Sequence, residues 1–516
     1  MKLVTSRQMR ELDTAAIRRG NIPSLNLMER AGFGLAKIVI NRSFAKDGRI
    51  VVVAGKGNNG GDGLVAARYL IQNGFDVTIL LLSASSELSP DSRVNFEQLA
   101  PLTTRIISIT DLAGFNSHLP ELLRASCIVD AIFGTGLEKN VSGLLLAVIS
   151  AINSLKVPII AADIPSGLCA DTGKPLGKAV HATITATFGL PKIGLYVGEG
   201  PGFAGKVEIV DIGIPDGEVD RVDSTLELIE PASFAPHFGK RKTLSHKGTY
   251  GHVVVFAGSL GHLGAGYLSC LAALRSGCGL VTYCLPEKAF SRFDARYPEI
   301  MCDAIPDEGT ARFHPSGLAN ALSIAQEKNV VAIGPAIGTE KATKEFVNEF
   351  VKKLRKPLVI DADGLNVLDL PSVRGRGFAT ILTPHPGEMA RLCGATVSEI
   401  QADRIEFATR LAKDNGATVI LKGASTVVAM PEGRACINST GNAGMASAGM
   451  GDALTGIVAS FIAQGMDIKA ACAAGVYFHG LAGDLAVAEH GERAVITSDV
   501  IKKLGEAYEK TYNHIA

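Results

Sequence analysis

The stretch Asn438–Gly456 reads NSTGNAGMASAGMGDALTG, and its reading decides the fold of the half of the chain around it. Nearly every residue up to Gly451 is small. Asp452 follows, and the apolar run Ala453 to Ile462 predicts a buried helix. Small residues let a backbone approach a ligand closely. The first turn of a helix leaves N–H groups unpaired and carries about half a positive charge. A phosphate chain can therefore rest there. Asp452 would stand beside that phosphate, placed to take a proton from a hydroxyl. An isolated Gly-Asp ahead of a helix more often marks an N-cap, but the long small-residue run favours the anion hole.

Working outward, four more loops follow apolar runs that read as strands: GSLGHLGAG at Gly258–Gly266, GPAIG at Gly334–Gly338, TPHPGE at Thr383–Glu388 and KGAST at Lys422–Thr426. Loops at the carboxyl ends of parallel strands share one crevice. None has the GxxxxGK[ST] spacing of a Walker loop. Lys422 is placed to meet a phosphate or to be a solvated charge. His385 is held between two prolines. Asp361 and Asp363 in DADGLN read equally as site residues or as turn and cap residues.

The first half of the chain shows a second α/β series. A strand at Ile50–Ala54 leads into GKGNNGGDG at Gly55–Gly63, read as a loop ahead of a helix at Leu64–Asn73. Gly55, Gly57 and Gly60 satisfy GxGxxG, but Asp76 precedes the next strand rather than ending it, so a standard NAD site is not indicated. Asp130 and Asp163 each end a predicted strand, the first followed by FGTGLEKN and the second by IPSG. Oxygens of Asn59, Asp130 and Ser166 suit one hard cation of low charge, which leaves Asp163 as a general acid/base. Read blandly, these acids are caps and loop formers. Ahead of this series, Thr5 or Ser6 caps a first helix with Met9, Leu12, Ala16 and Ile17 on one face.

A chain of 516 residues is too long for one core, so two domains are expected, 1–220 and 221–516, parted in the polar stretch Gly213–Ser224. The fold class is α/β: an N-terminal Rossmann-like parallel sheet and a second α/β domain. Basic and acidic residues balance at 51 each, which gives no field for nucleic acid. Nine scattered cysteines fit a reduced cytoplasm. No uninterrupted apolar stretch reaches the roughly 18 residues of a membrane span. Sheet edges and a 47% apolar content lead us to expect a homo-oligomer.

LMERAG, GKGNNGGDG, Asp130 with GTGL, and DIPSG at Asp163–Gly167 together resemble the epimerase half of the NAD(P)H-hydrate repair enzymes. That resemblance implies a hydrate site lined by Asn58, Asn59, Gly60, Gly61 and Asp62 and by Gly134, Thr135, Gly136, Leu137, Glu138, Lys139 and Asn140. It implies potassium at Asn59, Asp130 and Ser166, with Asp163 catalytic. The second half resembles ribokinase-like proteins, and TPHPGE, KGAST and NAGMASAGMGD are similar to the dehydratase half of the same repair enzymes. Small-molecule kinases of this fold often carry T-P-N-x-x-E, and here His385 stands at the Asn position. The resemblance implies that Ala265, Gly338, His385 and Asp452 contact the hydrate. Lys422, Gly423, Ala424, Ser425, Thr426 and Gly451 would hold ADP or ATP, and Glu388 would organise Mg²⁺ indirectly. The implied substrates are NADHX and NADPHX. A ribokinase-type kinase fused to an isomerase-like or scaffold domain is the competing reading.

Overall fold

The computed structural model describes residues 1–42, 48–294 and 298–515. Lys2–Ser224 forms one compact unit, and a second begins at Thr225.

The first unit opens with α1 (Ser6–Arg18), whose N-cap Thr5 forms a capping box with Gln8. Met9, Leu12 and Ala16 are buried. Ile17 is not, at 38% exposure, because the buried stripe runs through Ala15 instead. After α2 (Ser24–Asn41), the strands β1 (Arg49–Ala54), β2 (Val77–Leu81), β3 (Ile106–Ser108), β4 (Ala125–Ala131), β5 (Ile159–Ala162), β6 (Ile184–Phe188) and β7 (Lys206–Val210) form one sheet. Its order is β3-β2-β1-β4-β5-β6-β7, and every pairing is parallel. The apolar β1 run Ile50–Ala54 is buried throughout, as expected of a parallel strand covered on both faces. Strand order reverses between β1 and β4, so the loops after these strands diverge and leave a crevice.

One sequence expectation fails here in an informative way. Helix α3 starts at Asn58 and runs to Gln72, so NNGGD is helix rather than loop. Its glycines are needed for close packing. A Cβ on Gly60 would lie 1.8 Å from the Gly55 carbonyl oxygen, and one on Gly61 would meet the Met28 sulfur at 2.6 Å.

In the second unit the strands are β8 (Leu226–Leu228), β9 (His252–Phe256), β10 (Leu280–Pro286), β11 (Ile300–Ile305), β12 (Val330–Ile333), β13 (Leu358–Ile360), β14 (Thr380–Leu382), β15 (Thr418–Leu421), β16 (Val427–Ala429) and β17 (Ala435–Ile437). The 10-stranded sheet has the order β11-β10-β9-β12-β13-β14-β15-β16-β17-β8. It is parallel from β11 to β15. The turn at Pro431–Gly433 makes β16 and β17 an antiparallel hairpin. The reversal point here lies between β9 and β12, and their following loops are tied together. Gly258 N donates to Pro335 O at 2.8 Å, and Ser259 Oγ to Ala336 O at 2.8 Å.

Two helices fill the core beside this sheet, α4 (Gly264–Arg275) and α5 (Met450–Ala463). They touch through Gly456, where a Cβ would lie 1.9 Å from the Ser269 carbonyl oxygen. Helix α6 (Ile468–His490) is long and apolar enough to cross a membrane, but 72% of its most apolar window is buried within the protein.

Candidate active sites

In the first unit a cavity of about 780 Å³ opens at the β1/β4 reversal. Asn58, Asn59, Asp62, Gly134, Thr135, Gly136, Leu137 and Asp163 line it, and so do Asp13 and Lys192. Gly60 and Gly61 are packed inside, and Glu138, Lys139 and Asn140 are exposed; none of these five lines the cavity. Asp163 sits just past β5 with φ +66°, a left-handed conformation that disfavours a non-glycine residue. Its Oδ1 accepts from Phe188 N at 3.1 Å and from the Lys192 ammonium. Lys192 is 1% exposed and also donates to Thr187 Oγ1 at 3.2 Å and Phe188 O at 2.8 Å. Burial, together with the charges of Asp163 and Asp13, holds the Asp62 carboxyl well above the usual range.

Asp130 is fully buried beside this cavity. Its Oδ2 accepts from Ser166 N at 2.8 Å, and Ser166 Oγ accepts from Phe133 N at 2.9 Å. Burial pushes Asp130 up to about 6 against the Ser166 hydrogen bonds. Asn59 lies against Gly134, the neighbour of Phe133. Both polar atoms of the Asn59 amide are buried and have no hydrogen-bond partner among the described residues. A buried, unpaired amide oxygen is costly unless a ligand completes it. Asn59, Asp130 and Ser166 therefore offer amide, carboxylate and hydroxyl oxygen in one connected region, a donor set that fits a hard monovalent cation.

In the second unit the small-residue run ends at Gly449, which caps α5 in the left-handed region at φ +91°. The helix thus begins at Met450, ahead of the expected apolar run, and Asp452 lies in its first turn rather than at its N-cap. Asp361, at the end of β13 and 1% exposed, accepts from Lys422 Nζ at 2.6 Å and from Thr455 Oγ1 at 2.8 Å. Lys422 is thus a paired and largely enclosed cation, not a solvated one. Glu388, 4% exposed, lies 4.0 Å from the same ammonium, and its Oε2 accepts from His385 N at 2.8 Å. His385 Nδ1 accepts from Gly387 N and Glu388 N, which leaves the ring proton on Nε2, 3.4 Å from Glu388 Oε1. Asp363 Oδ2 accepts from Gly338 N at 3.0 Å. Ser269 Oγ donates to Asp452 O at 2.8 Å and lies 3.2 Å from Ala265 O. Asp452, Gly451, Lys422, Glu388 and His385 are thereby gathered around Asp361, with Ala265 and Gly338 one hydrogen-bonded residue away.

Burial pushes Asp452 up to about 7, reinforced by the Asp361, Glu388 and Asp363 carboxylates and opposed by Lys422. Burial also raises Glu388; burial raises Asp361 too, but Lys422 and the Thr383 and Thr455 hydroxyls together outweigh it and hold Asp361 below its ordinary value. One carboxylate stays ionised as a counter-ion while another is poised near neutrality, the division acid–base chemistry needs. Three further residues sit in the left-handed region on these loops: Ala336, Ala362 and Ser425. Such backbone strain concentrates at ligand-holding loops.

Sequence reasoning missed Asp13, Lys192 and Thr455. Asp13 occupies the i+4 position from Met9 in an apolar stripe, and Lys192 follows an apolar strand end in LPKIG. A charge in either setting needs a buried partner, and that was the available signal.

Two α/β units, each with buried carboxylates beyond the carboxyl ends of its parallel strands, define the class as a two-domain α/β protein with two candidate sites. Residues 253–506 match the family described as NAD(P)H-hydrate dehydratase, and residues 24–194 match the YjeF-related protein N-terminus. The chain is 41% identical over 97% of its length to the bifunctional NAD(P)H-hydrate repair enzyme of Moorella thermoacetica, covering 95% of that protein. It is 34% identical to the enzyme of the same description from Escherichia coli, over 93% of this chain and 88% of that one. A solved structure of the Bacillus subtilis ADP/ATP-dependent NAD(P)H-hydrate dehydratase, co-crystallised with ATP and Mg²⁺, is similar to 55% of the chain at 29% identity, with a TM-score of 0.48 and 98% of that protein covered. The chain belongs to the family of bifunctional NAD(P)H-hydrate repair enzymes.

Proposed function

We propose that this chain restores hydrated nicotinamide cofactors, with its first unit interconverting the two C6 epimers of NADHX and NADPHX and its second dehydrating one of them to NAD(P)H. The observation that carries the dehydratase half is Asp452, poised near neutrality in the first turn of α5 beside the enclosed Lys422–Asp361 pair.

Asp452 takes the proton of the C6 hydroxyl as that oxygen attacks the terminal phosphate of ADP or ATP. The amides of Ala448 to Gly451 and the start of α5 receive the phosphate chain. Lys422 to Thr426 cradle the nucleotide, with Lys422 contributing fixed positive charge. Ala265, Gly338 and His385 position the hydrate. Phosphate leaves far more readily than hydroxide, so the ring nitrogen expels it as the C6=N bond forms; loss of a C5 proton to solvent then makes the C5=C6 bond and returns NAD(P)H, with AMP or ADP and phosphate released. Glu388 is the residue that would organise Mg²⁺, which supplies charge neutralisation on the phosphates.

In the first unit, Asp163 serves as the acid/base at C6 of the hydrate, and Asn58–Asp62 with Gly134–Leu137 supply the walls. Asn59, Asp130 and Ser166 would hold K⁺, whose contribution is a fixed charge that orders the loops. A stereoselective dehydratase strands one epimer, and an epimerase in the same chain makes both repairable. The free cysteines fit a cytoplasmic setting, and a homo-oligomer is the assembly we propose.

The test is phosphate release coupled to recovery of the reduced-nicotinamide chromophore, with Asp452→Asn and Asp163→Ala assigning each activity to its unit. A phosphorylated product that accumulates without that chromophore would indicate a kinase instead.

A further inference from the structure

We propose that Asp13 is a second catalytic carboxylate of the N-terminal site, acting from the α1 wall together with Asp163, and that Lys192 is the positioning residue that fixes Asp163 in place. The proposal rests on the epimerase reading above and names the groups that perform it. Asp13 lies outside residues 24–194, the span of the matched family.

Hydrogen-bond accounting separates the roles. A lysine ammonium has three donors. Lys192 directs them at Asp163 Oδ1, Thr187 Oγ1 and Phe188 O. None is left for a substrate, so the lysine's work is to fix its neighbours. The bonds to Asp163 from Lys192 and Phe188 N all fall on Oδ1, and Oδ2 takes neither. Asp163 is thus a held carboxylate whose other oxygen has no hydrogen bond among the described residues. Asp13 is the opposite case. Its Oδ1 is buried without a hydrogen-bond partner among the described residues, and it lines the same cavity. An unpaired buried carboxylate oxygen favours the protonated form and a ligand that completes it. Burial pushes Asp13 up to about 6, with Lys192 pulling down and Asp163 pushing up. Asn59, 8% exposed and with its whole amide unpartnered among the described residues, lines the same cavity, and its amide N–H₂, which a cation cannot complete, points to a polar ligand there.

The chemistry balances with these two groups and water. Asp13 gives its proton to the C6 hydroxyl oxygen. The C6–O bond breaks with its electron pair going to oxygen, and water leaves. The ring-nitrogen lone pair forms the C6=N bond. Water then adds to the other face of C6, the C6=N π pair returns to nitrogen, and Asp163 takes the proton of the added water. One water leaves and one enters, and one proton passes from Asp13 to Asp163. A turnover in the reverse direction, or exchange with solvent, resets both.

The experiment uses the full chain without nucleotide, so that dehydration is silent, and follows conversion of one NADHX epimer into the other by chromatography. Asp13→Asn is expected to lower kcat by about 100-fold, a typical loss for one general acid, with KM little changed. The groups facing Asp13 are Asp62 from α3, Asp163 from the end of β5, Lys192 from the segment after β6 and Arg10 from its own helix. Against that background the wild-type rate should fall as pH rises past about 6, Asp13→Asn should lack this limb, and Asp13→Glu should restore it. Wild-type kcat and pH profile in Asp13→Asn would overturn the proposal. So would loss of activity in both variants with a lowered unfolding temperature, which marks a structural role. A wild-type chain that interconverts no epimers would instead overturn the epimerase reading itself.

Discussion

Lys422 Nζ lies 2.6 Å from Asp361 Oδ1, and both groups pack against Gly451 at the start of α5, where a Cβ would come within 3.0 Å of the ammonium and 3.6 Å of the other carboxylate oxygen. The pair joins the end of β13, the end of β15 and the first turn of α5. It fixes positive charge next to the proposed phosphate seat and negative charge next to Asp452.

Removing the ammonium should therefore have two effects. Lys422→Ala leaves Asp361 buried and unpaired, which costs about 3–5 kcal/mol in comparable cases. Lys422 also opposes the upward displacement of Asp452, so its loss moves Asp452 further up. The expected result is a C-terminal unit that melts earlier and a dehydratase pH profile displaced to higher pH. Calorimetry and initial rates from pH 5 to 9 would check both.

Asp452 gives a prediction of opposite sign for stability. Its folded value of about 7 lies above the ordinary 3.8, so ionisation penalises the folded state. The penalty starts as pH rises through the unfolded value and is complete above about 7. Each unit of displacement corresponds to about 1.4 kcal/mol. Asp452→Asn should therefore unfold at a higher temperature than wild type at pH 8 and at a similar one at pH 4, while dehydration falls by about 10²-fold or more. A lower unfolding temperature at pH 8 would contradict this assignment of charge.

Gly456→Ala probes packing. Its Cβ would press on the Ser269 backbone, separating α5 from α4. Overpacking of this kind costs about 1–3 kcal/mol. The same shift would break the Ser269–Asp452 hydrogen bond. Dehydratase activity should be lost and epimerisation kept.

The extent to which the chain could be read beforehand follows from where its signals lie. Strands such as β1, β12 and β15 are short apolar runs between turn residues, and these are visible without a structure. The loops at their ends carry the proposed site residues, so the Asp452 and Asp163 regions could be placed from the sequence as well. The α3 start was not, because a glycine-rich run reads as loop when what it meets is tight packing. Strands β10 and β11 were missed. β10 carries an apolar run, and four of the six residues of β11 lie outside the core. Asp13 and Lys192 were invisible as a pair because 179 residues of chain separate them.

Arg404 offers a test of the nucleotide loop. Its guanidinium donates to Leu421 O at 3.0 Å and Lys422 O at 3.2 Å and packs on Gly423. Burial lowers it to about 10, so it stays charged at neutral pH. Arg404→Ala should release Lys422–Thr426 and raise KM for ADP by about tenfold, the loss of one to two charge-assisted hydrogen bonds, with kcat largely kept. An unchanged KM would separate this loop from the nucleotide.

The most direct measurement supplies both NADHX epimers with ADP, Mg²⁺ and K⁺ to the full chain and follows the reduced-nicotinamide absorbance and phosphate together. Both epimers should be recovered completely, with one phosphate released for each NADH formed, and Asp163→Ala should stop at the dehydratable epimer alone. Phosphate transfer without return of the chromophore, with ADP or with ATP, would contradict the repair assignment.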